Sequence, residues 1–161
     1  MKKVFVSTLV FLLIFTNVSF ANTISLKDSI KDIEMVSNRM YIIIKQITGD
    51  DTLDVYELNR DIKFCESILS TRAKKISDAY SNKSSIEVGR IYSALLYTIS
   101  LYQLSLTSIT MYIRDDSKAN HFIEACSSYQ QGNSSLENIK LKNLETQNRQ
   151  EESKKEKSTC H

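Results

Sequence analysis

The sequence predicts an all-α protein, an up-and-down four-helix bundle with a long uncharged third helix and an interrupted fourth. Three observations carry that reading. The 161-residue chain has no proline and only three glycines, the well-separated Gly49, Gly89 and Gly132, so little in it would break a helix. Its apolar residues recur in steps of three and four over four successive stretches, the period of a helix face and not of a strand. Between those stretches stand short clusters of Ser, Asp, Asn and Gly, the residues that start and stop helices.

The chain opens MKKVFVSTLVFLLIFTNVSFA, with two lysines, an uncharged apolar run and then Ser19-Phe20-Ala21. That order matches the basic region, apolar region and small-residue cleavage site of a secretory signal of bacterial type. Residues 1–21 are therefore expected to be removed on export to the periplasm or beyond, leaving a helical bundle over residues 22–144. No cysteine stands near the cleavage point to carry a lipid. Beyond Ala21, basic residues balance the 19 acidic ones, which leaves no basic stripe for nucleic-acid phosphates.

Taken in order, the first helix should start at Ser25, with Asp28 completing a weak capping box. Leu26, Ile30, Ile33, Val36, Met40, Ile43 or Ile44, and Ile47 form its apolar stripe. Gly49 is expected to close it as a left-handed cap, and Asp50, Asp51 or Thr52 to cap the next helix. The second stripe is Val55, Leu58, Ile62, Cys65, Leu69, Ala73, Ile76 and Ala79, opposite a densely charged face. Residues 81–85 then turn the chain, and Ser84 with Glu87 reads as the capping box of the third helix.

That third helix is the most unusual stretch. From Ile91 to Ile113 there are 23 residues without a charge, fenced by Arg90 and by Arg114-Asp115-Asp116. Val88, Ile91, Leu95, Ile99, Tyr102, Leu106, Ile109 and Ile113 make its inward seam. The opposite side reads Ser93, Tyr97, Ser100, Leu104, Thr107, Ser108 and Met111, and a helix uncharged all round is usually covered on most of its circumference. The length would span a bilayer, but eight hydroxyl or amide residues interrupt it, with Gln103 near the middle. A bundle helix is the better reading, and membrane association is not expected.

The fourth helix should begin after Asp115-Asp116-Ser117, with Ala119, Phe122, Ile123, Cys126 and Tyr129 inward. Gly132-Asn133 is expected to interrupt it. Ser134 with Glu137 would cap a further piece holding Leu136, Ile139, Leu141 and Leu144 inward. Residues 145–161 are charged and lack a large apolar side chain, which predicts a disordered or frayed tail.

The antiparallel registers bring Cys65 and Cys126 to within about five residues along the bundle axis, both on inward stripes. In an exported chain this predicts a Cys65–Cys126 disulfide, worth about 4 kcal/mol in the loop-entropy account. Cys160 is left over, free or available to another chain. His121 and Glu124 lie one turn apart, but a bundle metal site draws about four ligands from facing helices, and no second histidine faces them. Cys160-His161 is an equally poor ligand set, so neither a metal nor a cofactor is expected. No phosphate-cradling glycine loop, Ser-His-Asp order or Cys-His arrangement occurs, and the inward stripes contain no carboxylate.

These features point away from an enzyme and toward an exported helical protein that binds a protein partner or a second copy. Tyr97, Leu101, Leu104, Ser108 and Met111 are the expected contact residues, because an uncharged strip of Tyr, Leu, Met and small hydroxyls has the composition of an interface. Something should cover them, either another chain or the segment after Gly132. The alternative function is a small-ligand or lipid carrier with a pocket lined by Tyr41, Phe64, Tyr92 and Phe122.

Overall fold

The computed structural model describes residues 25–49, 53–82 and 85–159, with the backbone alone from 146 onward. Four helices make up the described chain: α1 (Leu26–Thr48), α2 (Val55–Ser81), α3 (Ile86–Arg114) and α4 (Ala119–Thr159). Short connections make sequential neighbours antiparallel. α1 packs beside α2 and α4, and α3 packs beside the same two, with α3 and α4 forming the most extensive pairing. The expected signal segment 1–21, the turn residues Asp50, Asp51, Thr52 and Ser84, and Cys160-His161 lie outside the described residues.

Local chemistry sets the helix ends. Ser25 caps α1, its hydroxyl accepting from the Asp28 N–H at 3.3 Å. Asp54 caps α2 by accepting from the N–H groups of Tyr56 and Glu57, both at 3.0 Å. Ser85 caps α3 by accepting from the Val88 N–H at 3.2 Å. The predicted caps for α2 and α3 were thus displaced along the chain, because several adjacent Asp or Ser residues compete for each role. Gly49 does not use its left-handed freedom: its backbone is extended at φ −76°, ψ 161°.

The inward stripes of the first three helices form the core. Ile33, Val36, Met40, Ile43, Leu69, Ile76, Leu95, Tyr102, Leu106 and Ile109 are sealed from solvent. At roughly 1.5–3 kcal/mol per fully buried large apolar side chain, this group dominates the stabilisation. One charge enters the core margin unannounced. Asp61 is buried, and the Arg39 guanidinium donates to it from α1 at 2.9 Å.

α4 departs most from expectation. It runs uninterrupted through Gly132-Asn133 for 41 residues, and Ser134 begins no new helix. Its inner face is also rotated. Ala125, Ser128, Gly132, Leu136 and Ile139 are buried, whereas Ile123, Leu141 and Leu144 are exposed. The reason is Tyr102. A Cβ at position 132 would stand 2.7 Å from Cδ1 of that buried ring, so glycine opens a notch in the helix surface for it. The glycine signals a close approach of two helices, not a break.

The Cys65–Cys126 bridge is absent, and both thiols are free. Their helices, α2 and α4, are diagonal neighbours that share no close approach among the described residues. A disulfide needs its Cα atoms within about 4.4–6.8 Å. The pairing Arg39–Asp61 places Ser37 near the level of Cys65, and Ser37 meets Asn133. Asn133 lies about 10 Å along α4 from Cys126 at roughly 1.5 Å per residue. Position within the square and axial register both oppose the bridge.

Candidate interaction face on α3 and α4

The uncharged third helix divides its circumference three ways. Its seam enters the core. A second strip, containing Thr98, Leu101, Ser105 and Ser108, turns under α4. The third strip faces outward, where Tyr97, Leu104 and Met111 are 56%, 43% and 45% exposed. The five residues expected to meet a partner are thereby split, since Leu101 and Ser108 are only 9% and 1% exposed. Sequence periodicity could not separate them, because 101 and 108 sit only tens of degrees around the helix from 97, 104 and 111.

Small polar side chains join α3 to α4. The hydroxyls of Thr98 and Ser135 share a hydrogen bond at 2.7 Å, Ser105 donates to the Ala125 carbonyl at 2.8 Å, and Ser108 donates to the Glu124 carboxylate at 2.9 Å. Deeper, Tyr102 and Ser37 both donate to Oδ1 of Asn133 at 2.6 Å, and the Tyr129 hydroxyl donates to the Ser37 carbonyl at 3.3 Å. One amide oxygen, with two lone pairs, thus ties three helices together. Burial pushes the Tyr102 phenol up to about 12, an effect that the neighbouring Ser37 hydroxyl only partly offsets. Burial, reinforced by Asp61, likewise raises the Cys65 thiol to about 11, which keeps it protonated and unreactive at neutral pH.

The outward strip is chemically quiet. The Ser100 hydroxyl donates to the Leu96 carbonyl at 3.0 Å, and that of Thr107 to the Gln103 carbonyl at 2.9 Å. Their donors are satisfied within the helix, so covering them forfeits little hydration. On the flank, α4 adds Ser127, Gln130 and Ser134, all exposed. From Ala125 to Leu136 that helix also carries no charge. Near the start of α3 the two helices part into a groove of about 610 Å³, lined by Ile91, Ala94, Tyr97, Asn138 and Ile139 with Arg90 and Lys142 at its margin.

Other predicted sites do not assemble. Tyr41 and Phe64 are exposed on α1 and α2, Tyr92 packs against the core, and the Phe122 ring lies 5.2 Å from that of Tyr112. These four do not line one pocket. Glu124, the would-be metal ligand beside His121, accepts from Ser108. Among the described residues no group of three or more His, Cys, Asp or Glu side chains converges, and no helix is long and apolar enough to cross a membrane. Comparisons with protein-family models, with curated proteins and with solved structures find no match to this chain.

Proposed function

We propose that this chain is an exported, non-enzymatic helical binding domain that engages a protein through the outer face of α3 and the adjoining surface of α4. The supporting observation is the exposed row Tyr97, Leu104 and Met111 within a surface of satisfied hydroxyls and amides. Rigid aromatic and apolar anchors among Ser, Asn and Gln are what protein-recognition surfaces use, since they offer contact area at low entropy loss and adaptable hydrogen bonds. The leader-like first 21 residues support export. The non-enzymatic reading draws on where the acidic groups go. Asp54 caps a helix, and Asp32, Glu34 and Asp61 are held in ion pairs with Arg72, Lys140 and Arg39.

The test is affinity capture from envelope and culture fractions with residues 22–161, followed by cross-linking of the captured partner. Cross-links should map to residues 93–111 of α3, and Leu104→Glu should abolish capture without altering the helical circular dichroism. Capture that ignores Leu104→Glu refutes the reading.

The groove at Ile91, Ala94 and Ile139 favours one second reading, a carrier of a small amphipathic ligand. At about 610 Å³ it falls in the range of small-molecule sites. Native mass spectrometry of the purified protein should then show a bound adduct that Ala94→Trp removes. A bare mass in both proteins would dismiss the carrier.

A further inference from the structure

We propose that the groove between the start of α3 and the facing part of α4 receives the C-terminal end of a partner polypeptide. The inference rests on the reading of the α3–α4 surface as protein-binding and names what the groove takes from the partner. The groove holds about 610 Å³, and both Arg90 and Lys142 line it while no acidic side chain does. Thr98 meets Ser135 across the helix pair. Arg90 stands eight residues before the one and Lys142 seven after the other, so in antiparallel helices the two cations are level at one end. Glu87 and Glu145 are exposed and lie about a turn farther out. The charge pattern therefore favours a carboxylate at Arg90 and Lys142, and not beyond them.

The floor and one wall say what carries that carboxylate. Ile91, Ala94 and Ile139 form an apolar floor that is buried or half-buried. Ile91 adjoins Arg90 in sequence, and Ile139 sits one turn from Lys142. An alkyl group is thus wanted within one residue's length of the carboxylate, which is what the last residue of a chain provides. An internal Asp or Glu would bring its polar backbone to the floor instead. Along α4 the wall is Ser127, Gln131, Ser134 and Asn138, in steps of four, three and four that make one straight row. Gln131 donates to the Ser127 hydroxyl at 3.2 Å, which lays its amide along the wall. Amides that both donate and accept match a peptide backbone, whereas a hydrocarbon chain would leave them unpaired. The row is about 16 Å long at roughly 1.5 Å per residue, room for about five extended residues. A sugar acid would satisfy the amides and cations but has no alkyl group for the floor. The cleft between α1 and α2 offers no such selection, because Lys45 there shares the lining with Asp54 and Glu57.

Residues 22–161, which contain every helix of the bundle, are the material for the test. The probe is a pool of acetyl-Ala-Ala-Xaa-Xaa tetrapeptides, Xaa being Ala, Val, Leu or Ile, with free C-terminal carboxylates, and the same pool amidated. Amide chemical-shift mapping by NMR should move the signals of Ala94, Ser134 and Asn138 with the free-acid pool. The amidated pool should bind about tenfold more weakly. Arg90→Gln and Lys142→Gln, both surface changes, should weaken the acid pool severalfold each, and together they should erase its advantage over the amide. Equal binding of the two pools overturns the inference, as does silence of the groove to both at ~5 mM. An oligogalacturonate that moves the same signals where the peptides do not would assign the groove to acidic saccharides. A chain that captures a partner through Leu104 while the groove ignores the peptides loses this inference and keeps the broader binding reading. Free-acid peptides bound in the groove, with capture indifferent to Leu104→Glu, would do the reverse.

Discussion

The α1–α2 pair and the α3–α4 pair solve the same packing problem with opposite chemistry. Across α1 and α2 the polar links are long and charged, Arg39 to Asp61 and Arg72 to Asp32. Across α3 and α4 they are short hydroxyl bonds, Thr98 with Ser135, Ser105 with Ala125 and Ser108 with Glu124. A guanidinium on a flexible stem can span two helices at ordinary spacing. A serine hydroxyl cannot, so the second pair must come closer and carries Ala125, Ser128 and Gly132 at its seam. The difference continues outward. The first pair presents charges to water, and the second presents an uncharged surface that is easy to cover. The close-packed seam thus lies beside the face proposed above for recognition.

The sharpest way to break this contrast is to fill the notch. Gly132→Val places two methyl groups against the Tyr102 ring and should destabilise by about 3 kcal/mol or more, the upper range for overpacking a rigid site. Urea denaturation would measure it. A loss under about 1 kcal/mol would mean that α3 and α4 separate easily and that small residues are not what holds them. On the charged side, Asp61→Ala should cost only about 1–2 kcal/mol, because Arg39 is partly exposed and can turn its charge to water. If the two losses come out in reverse order, the assignment of rigidity to the second pair fails.

A pH series sharpens the comparison at its centre. The Tyr102 phenol titrates near 10 when unfolded and is raised to about 12 by burial. The folded state therefore holds the proton more tightly. Its contribution is complete below about pH 10 and is lost as pH climbs toward about 12, while the unfolded chain ionises first. Cys65, raised from 9.0 to about 11, adds the same sign of dependence beginning one unit lower. Tyr102→Phe should cost about 1 kcal/mol at neutral pH through the lost bond to Asn133. The gap between wild type and variant should narrow in melts from pH 9 to 11.5. A gap that widens would place the ionised phenol comfortably in the fold and contradict its buried environment.

Much of this was legible in the sequence, and the failures share one cause. The stripes of α1, α2 and α3 are large aliphatic residues at helical spacing, and burial follows them almost residue by residue. α4 misled because its inner face is written in Ala, Ser and Gly, which no hydropathy pattern marks as core. Ile123, Leu141 and Leu144 are larger and stay outside. The same blindness divided the interaction face, since Ser108 reads as a surface residue until a neighbour comes close enough to bury it. Asp61 was missed for a related reason. A carboxylate beside Ile62 is surface by default, and only the fold brings Arg39 to it across 22 positions of sequence. Composition registers what water rejects, and it is silent where close backbone approach does the burying.

The smallest expected effect decides most directly where the covered surface of α3 ends. Leu101→Glu and Leu104→Glu change the same residue type on one helix, three positions apart. Leu101 is covered within its own chain at 9% exposure, while Leu104 is 43% exposed. A carboxylate at 101 must either be desolvated beneath α4 or force the two helices apart, a loss of several kcal/mol. At 104 the carboxylate reaches water, and helix propensity differs little between leucine and glutamate. With the chain diluted until monomeric, Leu104→Glu should stay within about 0.5 kcal/mol of wild type, read as thermal melts under identical buffer. Equal losses at the two positions would mean that Leu104 is covered within its own chain, and the outward row would then offer no surface to another protein.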